Sequence, residues 1–126
     1  LARREYPRIE IIACPIVREQ DGLAMSSRNR RLLPQHRERA GEIFRTLIAA
    51  AAMASDYETA EIKEFVADRI NMISDFRLEY VEIVEDETLV PVRAAIEMSP
   101  EKTYYGCIAL FAGDVRLIDN IEIRLR

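Results

Sequence analysis

Two hydroxyls and two guanidiniums fall within five residues near the start of the chain, in a segment from Ser26 to Arg30 called here the Ser-Arg segment. Asp21-Gly22 precedes it and indicates a tight turn, because glycine accepts a positive φ without steric cost. Serine hydroxyls can donate to phosphate oxygens, and arginine adds a planar fork of donors that stays charged at any working pH. These residue types predict either a phosphate-binding loop or a solvated loop that is merely basic, with no preference between the two.

The net charge of −4 hides an asymmetry along the chain. Residues 1–45 carry ten arginines against six acidic residues, whereas residues 46–126 carry eight basic against sixteen acidic residues. The positive part contains the Ser-Arg segment, so it suits a small polyanion such as ATP, unless this is ordinary surface charge. No nucleic-acid partner is expected, because the basic set is short and lacks interleaved aromatic residues for base stacking.

A chain of 126 residues can hold one domain with a modest core. No apolar run approaches the roughly 20 residues of a membrane helix, so no membrane partner is expected. Cys14 and Cys107 lack the neighbours of a zinc site, which predicts two buried free thiols in a reducing cytoplasm and no metal site. His36, the only histidine, is expected to be exposed near a helix start, without a catalytic role.

The remaining patterns predict two helices followed by strands. Pro34 suits the first turn of a helix that should run to about Ser55, with an apolar face formed by Ile43, Phe44, Leu47, Ile48, Ala51 and Ala52. Gly41 in its middle costs about 1 kcal/mol against alanine and suggests only the close approach of a neighbour. Thr59 is the expected N-cap of a second helix reaching about Ser74, with its inner face at Ile62, Phe65, Val66, Ile70 and Ile73 and with Arg69 at the rim.

Strands are expected at residues 78–84, 103–112 and 115–120. Gly113-Asp114 predicts a hairpin turn between the last two, and Asp119-Asn120 suggests a bend before residues 121–124. The predicted fold class is α+β, a small antiparallel sheet of about three strands with two main helices packed on one face. A further short strand is expected at residues 9–13, before Pro15.

Two stretches of this sequence resemble a known family. The string from Cys14 to Arg30 is similar to the signature of the pantothenate synthetase (pantoate–beta-alanine ligase) family, and Gly113 to Asn120 resembles the closing motif of the same family. The resemblance spans nearly the whole chain, with both motifs at matching separation. It implies an ATP-dependent, AMP-forming acid–amine ligase and a place in pantothenate biosynthesis for the intact enzyme.

The resemblance also implies a reaction. ATP and pantoate form a pantoyl adenylate and pyrophosphate, and beta-alanine then attacks the adenylate to give pantothenate and AMP. Adenylation needs charge stabilisation on the phosphates more than it needs a protein nucleophile. Ser26, Ser27 and Arg28 are therefore implied as catalytic residues on a mobile loop, and they are implied to bind ATP together with Met25 and the backbone of Val17. Mg²⁺ is expected with the nucleotide, held mainly through the phosphates.

The family's N-terminal nucleotide-binding domain has no counterpart in this sequence. The resemblance therefore implies that residues 1–14 are a terminal strand segment of that missing domain and that residues 15–126 are a C-terminal lid domain. The fragment alone is expected to be inactive and cytoplasmic, with weak ATP affinity. Because an open strand edge attracts partners, strand 9–13 is expected to pair with a second copy, giving a possible homo-oligomer.

Other interpretations stay open at this point. The loop could belong to the lid of another adenylate-forming ligase, or the chain could be a non-catalytic interaction module. The closing motif is interpreted mainly as structural, with Leu117 and Ile118 in the core and with Asp119 and Asn120 shaping a turn. Arg18 could approach a phosphate or pair with Glu19 or Asp21, its neighbours in sequence.

Overall fold

The computed structural model describes residues 16–125, so the strand predicted at 9–13 and Cys14 lie outside the described residues. Three α-helices precede three strands: α1 (Pro34–Arg39), α2 (Glu42–Met53), α3 (Thr59–Asn71), β1 (Phe76–Glu85), β2 (Tyr104–Ala112) and β3 (Val115–Ile123). Short 3₁₀ turns occupy Ser27–Arg31 and Ala95–Glu97. The strands form one antiparallel sheet in the order β1-β2-β3, which confirms the predicted α+β fold with its three-stranded sheet.

The core lies between one face of this sheet and helices α2 and α3. Alternate strand residues point to opposite faces, and those facing the helices are buried, among them Tyr104, Ile108 and Leu110 of β2. The helices contribute the buried side chains of Ile43, Leu47, Ala50, Ile62, Val66 and Ile70. The predicted inner face of α3 is correct at Ile62, Val66 and Ile70. Arg69 lies at the rim of this face, with its guanidinium carbon 5.5 Å from the centre of the Phe65 ring.

The single helix predicted from Pro34 to about Ser55 is wrong, because the chain is divided at Ala40-Gly41 into α1 and α2. The Ala40 and Ile43 N–H groups both donate three residues back, the tighter 3₁₀ pattern. A Cβ at Gly41 would lie 2.9 Å from the Asp21 carbonyl oxygen, so the suggested close approach of a neighbour is correct. The predicted apolar face also shifts, since Ile48 is 47% exposed while Ala50 is buried.

Helix α3 begins with Glu58 rather than Thr59 as its N-cap. The Glu58 N–H donates to Glu61 Oε1 at 3.1 Å, and the Glu58 carboxylate accepts the distant Ala95 N–H at 3.1 Å. Thr59 is instead buried, and its hydroxyl donates to the Arg93 carbonyl at 2.8 Å. The capping hydrogen bond at this helix start is thus supplied by the Glu61 carboxylate, while the Thr59 hydroxyl is committed to another part of the fold.

Strand β3 runs unbroken to Ile123, so the bend expected at Asp119-Asn120 does not occur. Leu117 and Asp119 face the helices and are buried, while Ile118 faces the opposite side and is 57% exposed. The core assignment was therefore right for Leu117 and wrong for Ile118, because neighbours on a strand cannot share a face. Asp119 is buried by pairing with Arg18 rather than placed in a turn.

His36 is buried, which corrects its predicted exposure. Its Nε2 lies 3.0 Å from Asp75 Oδ2, and its ring meets that of Phe76 edge-on at 6.1 Å between centroids. The hairpin turn of β2 and β3 covers it, since a Cβ at Gly113 would lie 2.8 Å from His36 Cε1. The polar neighbours of His36 in sequence predicted exposure, but His36 is buried by segments that are distant in the chain.

Gly113→Ala is expected to lower the free energy of unfolding by about 2 kcal/mol. Gly113 has φ +61°, and an alanine there would be strained and would also press on the His36 ring. Urea denaturation followed by circular dichroism measures the loss. Asp114→Ala is the matched control, because Asp114 is the exposed second residue of the same turn. Equal midpoints for the two variants would contradict this account of the turn.

Candidate functional site

A short hairpin of residues 17–25 leads into the Ser-Arg segment. Arg18 and Ala24 form an antiparallel bridge. The Met25 N–H donates to the Val17 carbonyl at 2.9 Å, and the Glu19 N–H donates to the Leu23 carbonyl at 2.7 Å. Leu23 is buried while Val17 and Met25 are 68% and 55% exposed. The hairpin therefore packs against the core through Leu23, while Val17 and Met25 lie opposite each other and face outward.

The tip of this hairpin is attached to the helices. Asp21 accepts from the Arg37 guanidinium at 2.6 Å, and its backbone lies against Gly41. The hydrogen bond from Arg37 lowers the pKa of the Asp21 carboxyl, helped by the Leu23 N–H and opposed by partial burial. Asp-Gly was therefore correctly interpreted as a turn, and Asp21 also forms an ion pair that fixes this turn against α1.

The base of the hairpin is attached to the sheet through Arg18. Its guanidinium donates to Asp119 Oδ2 at 2.7 Å and Oδ1 at 3.0 Å, and to the Gly22 and Asn120 carbonyls at 3.0 and 3.1 Å. The guanidinium carbon also lies 4.0 Å from the centre of the Phe44 ring. Of the alternatives considered for Arg18, neither a pairing with Glu19 nor one with Asp21 is found among the described residues.

The Ser-Arg segment begins as the hairpin ends. Ser26 caps the 3₁₀ turn Ser27–Arg31 by accepting the Arg28 N–H on its hydroxyl at 3.1 Å. Asn29 ties the turn back to the hairpin, donating to the Ala24 carbonyl at 3.0 Å. Ser26, Ser27 and Arg28 themselves are exposed. Because a hydroxyl that accepts one hydrogen bond can still donate another, both serines retain a donor toward a ligand.

A groove of about 660 Å³ separates the Ser-Arg segment from β3 and joins the two sequence motifs. Its lining includes Met25, Ser26 and Arg28 from the loop and residues 116–120 from β3. Asn29 Oδ1, which belongs to a groove-lining residue, is buried without a hydrogen-bond partner in the part of the chain that the structure describes. The groove is thus bordered by donors from the loop and by β3, which is an edge strand among residues 16–125.

Cys107 also lines this groove from the outer face of the sheet. It is a free thiol of intermediate burial, and the burial raises its pKa above the usual value.

Between residues 16 and 125, no three His, Cys, Asp or Glu side chains cluster so that they could hold a metal ion. Among the helices of the same range, none has both the length and the apolar character needed to cross a bilayer.

The structure brings together the five residues singled out as a site from the sequence. Val17 and Met25 face each other across the hairpin, and Ser26, Ser27 and Arg28 follow directly. Sequence reasoning missed the pairing of Arg18 with Asp119 and the buried oxygen of Asn29. The two residues of the pair are 101 positions apart, so no local spacing signals it, although both lie within the two motifs.

Fold and site together define a class: a small α+β domain that presents hydroxyl and guanidinium donors from a loop attached to both its helices and its sheet. The family model described as pantoate-beta-alanine ligase matches residues 1–122. The chain therefore belongs to the pantoate-beta-alanine ligase family, whose members are ligases of pantothenate biosynthesis.

Individual relatives agree with this assignment. The chain is 46% identical over 116 residues to a pantothenate synthetase of Bacteroides fragilis YCH46, covering 92% of this chain and 40% of that protein. It is 44% identical over 119 residues to a pantoate–beta-alanine ligase of Arabidopsis thaliana, covering 93% and 36% of the two chains. The crystal structure of pantothenate synthetase from Thermus thermophilus superposes with a TM-score of 0.77 at 33% identity, covering 98% of this chain and 43% of that one. The chain thus spans about two fifths of the length of the relatives that it matches.

Proposed function

We propose that this chain is the C-terminal lid domain of a cytoplasmic ligase that condenses pantoate with beta-alanine at the expense of ATP. In this proposal the lid closes over ATP bound by a preceding domain, and Ser26, Ser27 and Arg28 donate to its phosphates. The observation that carries the proposal is that these three donors lie exposed at the end of an attached hairpin, within the segment that matches the ligase family.

The chemistry assigned to the loop follows from the charges that the reaction moves. Attack of the pantoate carboxylate on the α-phosphorus of ATP releases pyrophosphate and leaves pantoyl adenylate. The amine of beta-alanine then displaces AMP. Both steps move negative charge on phosphate oxygens, and fixed donors stabilise such charge without having to reorganise. Arg28 supplies a permanent positive charge, the two serines supply neutral donors, and Val17 and Met25 would border the adenine.

Mg²⁺ would reach the site with the nucleotide. The described donors near the loop are hydroxyls, amides and guanidiniums, which suit phosphate oxygens rather than a cation. In this proposal the ion is therefore coordinated by the phosphates of ATP, and its chemistry is the neutralisation of their charge. In the same proposal Ser26, Ser27 and Arg28 orient these phosphates from the side opposite the domain that binds ATP.

The proposal is tested with a ligase hybrid, in which this chain replaces the segment it matches in the B. fragilis pantothenate synthetase. We expect AMP release that requires ATP, pantoate and beta-alanine together, and no AMP release from this chain alone. The unaltered B. fragilis protein is the positive control. AMP release that ignores pantoate would indicate a different adenylate-forming ligase, and a folded hybrid without AMP release would favour a non-catalytic module.

A further inference from the structure

Arg18 is the most heavily engaged charged side chain near the loop, and it is outside the set of residues proposed to touch ATP. Its side chain is 18% exposed and that of its partner Asp119 is 3% exposed. Asp119 also accepts the Asn120 N–H on Oδ1 at 2.7 Å. Both carboxylate oxygens and the guanidinium fork are thus satisfied, which is the condition under which a charge pair can be buried.

The contacts of Arg18 join three parts of the fold. The Gly22 carbonyl lies at the tip of the 17–25 hairpin, Asp119 and Asn120 lie in the middle of β3, and Phe44 lies on α2. Phe44 in turn fills the space beside Gly22, where a Cβ would lie 2.5 Å from its Cδ2. One guanidinium plane therefore fixes the hairpin against a strand and a helix at once.

This attachment extends directly to the donor loop. Arg18 pairs with Ala24 across the hairpin, the Val17 carbonyl accepts the Met25 N–H, and Ser26 is the next residue. A shift of the Arg18 backbone would therefore displace Ala24 and Met25, which lead directly into Ser26 and Arg28. A displacement of about 1 Å in groups that orient a substrate can cost about a hundredfold in rate.

We propose that Arg18, held by Asp119, is a positioning residue that sets the location of Ser26, Ser27 and Arg28 relative to the sheet. This inference rests on the proposed function for its kinetic consequence, while its structural consequence stands independently. The Ser-Arg segment then moves with the domain as one body when the lid closes. Arginine is required because its planar fork engages both carboxylate oxygens and two carbonyls, whereas lysine offers a single charged nitrogen.

The first test follows amide hydrogen exchange in this chain and in its Arg18→Lys variant. The N–H groups of Glu19 and Met25 close the hairpin, and their exchange is expected to rise about tenfold in the variant. The Leu110 N–H in the central strand is expected to stay protected, because the sheet itself is intact. Arg45→Lys is the matched control, since Arg45 is an exposed arginine paired with Glu42 on α2. Unchanged exchange at Glu19 and Met25 would overturn the proposal.

The second test measures initial rates of AMP release in the ligase hybrid. Arg18→Lys is expected to lower kcat per folded enzyme by up to about a hundredfold and to raise KM for ATP about tenfold, because the displaced donors serve both ATP binding and the developing charge. KM for beta-alanine is expected to stay within about twofold. A purely structural role would reduce the amount of folded enzyme and lower the apparent kcat with both KM values unchanged. That result would overturn the proposal, as would an equal effect of Arg45→Lys.

The two tests separate this inference from the proposed function. A hybrid whose AMP release ignores pantoate refutes the proposed substrate, yet its KM for ATP still reports on Arg18. A hybrid that releases no AMP counts against the proposed function, and the exchange of Glu19 and Met25 then decides whether Arg18 holds the hairpin. Each outcome therefore supports or contradicts one of the two statements.

Discussion

Arg28→Ala in the ligase hybrid is expected to lower kcat for AMP release by about 10²- to 10³-fold, the range found when one preorganised donor to developing charge is removed. Arg28 is exposed and has no role in the core, so its loss should leave the fold unchanged. Ser27→Ala removes a neutral donor and is expected to have a smaller effect, about tenfold. Initial rates at saturating pantoate and beta-alanine measure both variants.

The matched control for Arg28 is Arg31→Ala. Arg31 is an exposed arginine in the same 3₁₀ turn, so it reports on the general basic character of the segment. Arg28→Lys should recover part of the lost rate, because it restores the charge without the fork. If Arg28→Ala and Arg31→Ala reduce the rate equally, the Ser-Arg segment is a solvated basic loop and the proposed catalytic roles are wrong.

Asp119→Ala is expected to lower the free energy of unfolding by about 3 kcal/mol, because it leaves the mostly buried Arg18 guanidinium without its counter-charge. Part of the loss is moderated by the Gly22 and Asn120 carbonyls, which still accept from Arg18. Urea denaturation of this chain measures the change. Glu122→Ala is the control on the same strand, since its pair with Arg124 is exposed and should contribute less than about 1 kcal/mol.

A double replacement distinguishes stability from positioning. Arg18→Met with Asp119→Leu exchanges the ion pair for apolar side chains, and such exchanges are often neutral or stabilising. We expect this variant to regain most of the stability that Asp119→Ala loses. It should nevertheless keep a raised KM for ATP in the hybrid. Equal stability losses in Asp119→Ala and Glu122→Ala would show that the pair contributes no more than a surface contact.

Elements with a strong local pattern were predictable from the sequence. The strand predicted at residues 103–112, the Gly113-Asp114 turn and the apolar spacing of α3 each depend on residues that are close in the chain, and the structure confirms all three. The 17–25 turn is likewise indicated by Asp21-Gly22. Local conformation and one-sided burial are sufficient to produce these features.

Features created by distant contacts were not predictable. The division of the first helix depends on Asp21 lying against Gly41, and the burial of His36 depends on Asp75 and Gly113. Sequence reasoning offers Glu19 or Asp21 as partners of Arg18 because these are its neighbours in the chain, whereas the partner observed is Asp119. The residues of the candidate site were recognisable as a group because they are close in the chain. The Arg18–Asp119 pair that holds their hairpin was not recognisable, because its two members are distant in sequence.

The 3₁₀ turn of the Ser-Arg segment has a consequence for the entropy of the nucleotide binding proposed for it. Its cap, its tie to Ala24 and the bond from the Leu32 N–H to the Asn29 carbonyl all come from the chain itself. Fixing one residue's backbone costs about 1–2 kcal/mol. Folding has already ordered the backbone of Ser27 to Arg31. An anionic ligand that uses these donors therefore loses less conformational entropy on binding, and more of its interaction free energy contributes to affinity.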